Sequence, residues 1–427
     1  MVQLLFRENG VWLAVGRPPG DVPTPNQPPG PPTALTLTAG STYLTATWGA
    51  ASDGDGTIVG YDVRLDDGTP TRVTGLSKTV TGLAPQTSHT LSVRAVDDKG
   101  SVSAWVTATA TTNAAPTQAT HGDQLTLADV GPAAGGYLNL TTVTDSTTLS
   151  STSSRPSWAR VLTAPETFDG VTYPAGTWVI EGVSFSGGYV TITSLPASVP
   201  HMLFRGCKFR RTGTQALQVS STCSTDVTAS YCEFGSTSAT QRLQFCVRFL
   251  GSGHQTLHRS WCQWWDNALN GSGNVDIIEN IVTDAVFYAG AHIDAWLCNT
   301  PASSKGPVRI LRNRLEVNFS QTGCVANYQD SAGLYDRWEV RDNIVAGGGF
   351  GFYCGITSDQ GSSAVMPKSC AYTGNKVSTK FYPNGGYYGV KTSDTHPTLG
   401  SMWGQNGNVW AGNTWADGPN AGQEIPA

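Results

Sequence analysis

The feature that most limits how this chain can fold is a polar residue recurring at one place inside apolar strand-like runs. Asn280 sits in "VDIIENIVTD", Asn313 in "VRILRNRLEV" and Asn343 in "WEVRDNIVAG". Buried alone, an amide would cost about 1–3 kcal/mol, so each needs a partner, and its own copy in the next repeat can supply one. A tetrad of a small or polar residue, Cys or Asn, any residue and an apolar one recurs as "GVSF", "GCKF", "YCEF", "WCQW", "ENIV", "RNRL", "DNIV", "GNKV" and "GNTW". Its key positions are Val183, Cys207, Cys232, Cys262, Asn280, Asn313, Asn343, Asn375 and Asn413. Their successive differences are 24, 25, 30, 18, 33, 30, 32 and 38, a unit with loop inserts of varying length. Such a period marks a stacked repeat. The units are rich in β-branched and aromatic residues and lack helical periodicity, so they stack as parallel strands at ~4.8 Å per turn.

Composition agrees with a β-rich chain. Of 427 residues only 13% are charged, while Gly numbers 49 and Trp 13. Net charge is −5 with basic residues scattered, which argues against nucleic-acid binding. No uninterrupted apolar run reaches membrane-spanning length, so no membrane insertion is expected. The start, "MVQLLFRENGVWLAVG", is not expected to be a Sec-type signal peptide, because Arg7, Glu8 and Asn9 interrupt its apolar stretch. All nine cysteines lie between Cys207 and Cys370, with no CxxC pair or Cys/His cluster at zinc spacing. They are expected to be buried free thiols; no metal and no cofactor is expected.

Six segments are expected. Residues 1–17 are expected to form a hairpin around Asn9-Gly10 that attaches to a partner, since a lone hairpin is barely stable in water. Residues 18–32 are a proline-rich linker. Residues 33–112 alternate as short strands, and 113–122 form a second linker. Residues 123–164 are expected to cap the N-terminal end of the repeats, and 165–427 to carry them.

Residues 33–112 resemble a fibronectin type III domain. The likeness rests on Trp48 in "LTATWGA", Tyr61 in "IVGYDVRL", and "GLAPQTSHTLSVRAVD", with His89 where that family places a corner tyrosine. "SDGDGT", with Asp53 and Asp55, reads as a solvated turn between strands and not as a calcium loop. The repeats from about 165 to 420 resemble the right-handed parallel β-helix of the pectate-lyase-like superfamily. The fold class expected is therefore all-β: a fibronectin type III sandwich followed by a right-handed parallel β-helix.

Candidate chemistry lies on the strand after each tetrad. "DNALNG" and "IDAWLC" align, and strict alternation would turn Ile293, Ala295 and Leu297 inward and His292, Asp294 and Trp296 outward. Asp294 and His292, with Asp266 one place out of phase, are the candidate catalytic groups. Asp294 is expected over Asn267 on one side and Val325 on the other, so no second carboxylate stacks on it. Glycoside hydrolysis needs two carboxyl groups, and no acidic set suited to calcium-dependent lyase chemistry is present. Trp265, Asn267 and Trp296 on these strands, with Tyr335 and Trp403 in the loops that follow, are the candidate carbohydrate contacts.

The order of hairpin, proline spacer, fibronectin module and β-helix resembles bacteriophage minor tail proteins and tailspikes. That resemblance implies binding of a host cell-surface glycan during adsorption, attachment to other tail proteins through the N-terminus, a homotrimer, and a place at the virion's tail tip after release by lysis. Glycan-degrading activity is an open extension of it. The alternatives are a secreted bacterial polysaccharide hydrolase or lyase and a non-enzymatic adhesin.

Overall fold

The computed structural model describes residues 5–8, 11–14, 25–39, 43–81, 83–113, 121–287, 292–298, 306–327, 336–354, 366–392, 395–396 and 399–427. The chain divides into two compact units, 1–115 and 116–427, each described here by itself.

In the first unit, Leu5–Glu8 pairs antiparallel with Val11–Ala14, with Glu8 opposite Val11 as a tight turn at Asn9-Gly10 requires. Seven further strands form two antiparallel sheets. Thr33–Ala39, Tyr43–Gly49 and Ser77–Thr81 make one; Thr71–Val73, Ile58–Leu65, Ser88–Asp97 and Val106–Thr111 make the other. Trp48 and Tyr61 meet edge-on in the core between them, ring centroids 5.6 Å apart. The Tyr61 hydroxyl accepts from the Ala51 N–H at 3.0 Å, which satisfies its polar tip. At the corner position His89 Nδ1 meets Asp66 Oδ2 at 2.6 Å, replacing a hydroxyl-to-backbone link with a side-chain pair. The Asp53–Asp55 turn is tied by its own bonds: Asp53 Oδ1 accepts from Asp55 N–H and Asp55 Oδ2 from Gln27 N–H.

The second unit is built on three sheets that the chain visits in a fixed order. Sheet A holds, among others, His201–Arg205, Val275–Ile278, Val308–Leu311 and Trp338–Arg341. Sheet B holds Lys208–Arg210, Ile281–Val282, Arg314–Val317, Ile344–Gly347 and Lys376–Ser378. Sheet C holds Gly213–Val219, Leu243–Phe249, Trp265–Gly271, Asp294–Cys298, Gly323–Asn327 and Phe350–Cys354. The sheets contain ten, ten and nine strands, and all pairings but the Arg160–Val161 edge of sheet A are parallel. Inside, Phe185, Phe209 and Phe234 stack face to face at 4.5 and 4.9 Å, one ring per turn.

The corner from sheet A to sheet B explains the recurring amides. Asn280, Asn313, Asn343, Asn375 and Asn413 are fully buried. Each of the first four donates its Nδ2–H to the next residue's Oδ1 at 2.9–3.0 Å. The same Oδ1 atoms accept the backbone N–H of the preceding turn's Asn, so every amide is satisfied. Immediately before each ladder position stands a residue at positive φ: Gly182, Gly206, Tyr231, Arg259, Glu279, Arg312, Asp342, Gly374 and Gly412. Five of the nine carry side chains, at about 1–2 kcal/mol each, so the turn and not the residue type sets the conformation.

This corner corrects one ladder position. Cys262 is not in the column; it lies within Trp261–Gln263 opposite Phe234 and Val282. Ser260, which follows the left-handed Arg259, takes that place. It accepts nothing from Asn280's side chain but gives Cys232 N–H an Oγ acceptor at 3.1 Å, while its own N–H donates to Asn280 Oδ1 at 2.8 Å. "WCQW" imitates the tetrad of "YCEF", but sits two residues beyond the turn. Cys207 and Cys232 do stand in the column, and the eight described cysteines are buried.

Residues 121–139 do not close the N-terminal end. They run along the A-to-B corner as a strap and cap its carbonyls. His121 Nε2–H meets Gly374 O at 2.8 Å, Gly122 N–H meets Asp342 O at 2.7 Å, and Gly131 N–H meets Arg259 O at 2.9 Å. Only from Thr141–Val143 does the chain join sheet B beside Val183–Ser186.

Candidate functional site

Sheet C was expected to present the catalytic groups, and its geometry corrects most of that expectation. Ala216–Leu217, Cys246–Val247, Ala268–Leu269, Ala295–Trp296 and Cys324–Val325 are consecutive pairs that all belong to the main core. Five neighbouring strands therefore bend at one position, and both residues of each pair face inward. The first of each pair is Ala or Cys because the inside of a bend has little room. Strict alternation fails there, and Trp296 lies fully buried in the core, not outward. Leu297, expected inward, packs instead with Phe245, Ala326 and Tyr353 in a separate cluster.

Asp294 is likewise buried, not exposed. Asn267 is its neighbour on one side as expected, but Trp296 pairs with Val325, which places Gly323 and not Val325 opposite Asp294. Gly323 N–H donates to Asp294 Oδ1 at 3.0 Å, while Oδ2 has no hydrogen-bond partner among the described residues. Burial pushes this carboxyl well above the usual range, against the small opposing pull of the Gly323 N–H. Asp266 is also buried and is held by Arg242; burial raises its carboxyl despite the guanidinium. His292 is the one exposed member of the trio and meets Thr322 Oγ1 at 3.1 Å.

The expected carbohydrate contacts divide similarly. Trp265 is fully buried and donates Nε1–H to Thr283 O at 2.8 Å, so it offers no ring face to a sugar. Asn267 is buried beside Asp266. Trp403 is half-buried among Tyr372 and Trp410, with centroids 5.6 and 5.4 Å away. Tyr335 lies outside the described residues.

Exposed rings occur elsewhere, on the connections from sheet B to sheet C. The connections after Ile281–Val282, Arg314–Val317 and Lys376–Ser378 carry Phe287, Phe319 and the group Tyr382, Tyr387 and Tyr388, and Phe350 opens the sheet C strand Phe350–Cys354; Phe319, Phe350 and Tyr382 are half-buried. Phe287 is 54% exposed and lies 5.6 Å from Phe319; Tyr388 is 67% exposed and lies 5.6 Å from Phe350. Tyr387 stands perpendicular to Tyr388 at 4.8 Å. Backbone bonds pin the tyrosines: Tyr387 N–H to Gly348 O at 2.9 Å and Tyr388 N–H to Gly349 O at 2.7 Å. Gly386 permits this approach, since a Cβ there would meet Gly389 O at 2.5 Å and Phe350 Cα at 2.8 Å. Large apolar rings held rigidly in water are costly unless something covers them. The sequence signal was available in "NGGYYGV", two tyrosines bracketed by glycines in the segment that follows the tetrad "GNKV", but nothing local separates a platform from a core pair.

The comparisons bear on the first unit. The family model for the fibronectin type III domain matches residues 30–110. Residues 30–110 are a fibronectin type III domain. Its seven strands and the Trp48–Tyr61 core pair are those described above. Chitinase A1 of Niallia circulans is 41% identical over 110 residues, which are 26% of this chain and 15% of that protein. The match thus spans under a sixth of the curated relative. Among solved structures, the crystal structure of FN3tt is 26% identical and covers 20% of this chain and 95% of its own, with a TM-score of 0.18. Chitinase ChiA74 from Bacillus thuringiensis is 23% identical over 20% of this chain and 14% of its own, with a TM-score of 0.19.

Proposed function

We propose that the chain is a bacteriophage tail protein, of the minor-tail or tailspike kind, that binds host cell-surface carbohydrate during adsorption. In this reading the repeats after about residue 165 wind as a right-handed parallel β-helix and three copies assemble. The hairpin at 5–14 meets other tail proteins, and the protein acts at the tail tip. The observation that carries the reading is a strip of aromatic rings over four successive turns, in which Phe287, Tyr387 and Tyr388 are exposed. Tyr and Phe faces pack against the C–H faces of sugar rings, and a pinned loop loses little entropy on binding. Three parallel sheets visited in constant order support the β-helix.

The test is incubation of the full chain with purified polysaccharide from bacterial envelopes, scored for retention. Tyr388→Ala should weaken retention at least tenfold with an unchanged melting temperature. Failure of the unaltered protein to bind any envelope fraction would sink the adsorption reading.

A second reading, a secreted polysaccharide hydrolase or lyase, is favoured by the likeness of the fibronectin module to part of Chitinase A1. The same incubation, scored for new reducing ends, separates the two. Release that persists in Asp294→Asn would remove Asp294 as its acid.

A further inference from the structure

On the outer face of sheet B, beside the aromatic strip, lies a cavity of about 240 Å³ that no expected site residue touches. The strand register makes it. Glu316 pairs with Ala346, and Ala346 with Ser378, so one outward column reads large, small, small. The two short side chains leave a notch floored by Ala346 and Ser378. Asp417 closes one end, holding the Ser378 hydroxyl at 2.5 Å and Thr379 N–H at 2.6 Å. Asp123, from the strap, also lines the notch and is held by Lys376.

The charged groups around the notch are already held: Asp123 by Lys376, and Asp417 by the Ser378 hydroxyl and the Thr379 N–H. Glu316 is bound by Arg314 at 2.7 Å and by Lys380 at 2.5 Å. An acidic ligand would have to break such a pair and leave its partner uncompensated, and a cationic one would be crowded against Arg314 and Lys380. A hydroxyl would not: a paired carboxylate keeps free lone pairs, and a paired ammonium or guanidinium keeps free N–H groups. One hydroxyl can accept from Lys380 and donate to Glu316 or Asp417. Ala346 and the half-buried Ile344 supply an apolar floor for ring C–H groups. Lys380 Nζ also lies 5.0 Å from the centre of the Phe381 ring, which precedes Tyr382 of the strip in sequence.

We infer that this notch is a subsite for one uncharged, hydroxyl-rich sugar unit of the glycan held by the strip. The inference rests on the glycan-binding reading above.

The full chain is applied to an array of neutral, amino-sugar and uronic-acid oligosaccharides, and affinities for bound members are then measured by titration calorimetry. The unaltered protein should prefer neutral members. Ala346→Leu, which fills the notch from its floor, should weaken their binding at least tenfold while leaving the melting temperature in place. Should that variant melt early, Glu316→Gln carries the test, with the same loss expected. Full affinity in the notch variants alongside a loss in Tyr388→Ala would overturn the subsite and leave the strip standing. A preference for uronic acids that disappears in Lys380→Ala would overturn the uncharged class. No binding to any array member would remove the subsite together with the glycan reading.

Discussion

Two buried carboxyls show how environment, not residue type, decides a side chain's charge. Asp294 has one backbone N–H for a partner, and burial raises its carboxyl well above the usual range. A raised folded value means its contribution is complete below the unfolded value near 3.9 and is lost as pH rises towards the folded value. Asp294→Asn should therefore raise the melting temperature at pH 8 and change it little at pH 4. Equal effects at the two pH values would show that the carboxyl is ionised in the fold. Glu279 has the opposite sign. Burial would raise it, but His258 and the Arg259 guanidinium outweigh burial and hold it at about 2, with Arg312 adding an ion pair at 3.1 Å. Its contribution, about 3 kcal/mol, is present above 4.5 and is lost as pH falls towards 2. Acid titration of stability should show that loss in the unaltered protein. Glu279→Gln should abolish it and lower stability at pH 7, because two arginines lose their partner.

At the scale of elements, the A-to-B corner couples three devices: a left-handed residue, a buried amide and the strap that caps the carbonyls. Gly122 marks a close approach of strap to corner, since a Cβ there would lie 2.0 Å from Asn313 O. Gly122→Ala should push the strap off the corner, unpairing Gly122 N–H from Asp342 O, and cost about 2 kcal/mol or more by denaturant unfolding. A neutral result would mean that the strap contributes no stability. The ladder was legible because an Asn inside an apolar strand demands an explanation that only a repeat supplies. Ser260 was not, because a serine makes no such demand and "WCQW" offered a closer match to the neighbouring tetrad. The deciding property, a positive φ at Arg259, is conformational and leaves no mark in residue type.

For the whole molecule, the division into units 1–115 and 116–427 predicts two cooperative transitions in calorimetry. A fragment spanning residues 25–113, the fibronectin type III domain with its flanks, should reproduce one of them alone. A single transition for the full chain, absent from the fragment, would show that the domain depends on the rest. Sequence by itself determined the all-β class, the fibronectin module and the turn-by-turn repeat, because each is written in spacing along the chain. Which side chains face solvent on sheet C was decided only by tertiary structure. Alternation reports facing only for a straight strand, and one shared bend turns Trp296 inward. The burial of Asp294, the notch over Ala346 and the pinned Tyr387–Tyr388 pair likewise come from neighbours about 20 to 40 residues away, brought alongside by the stacking of turns.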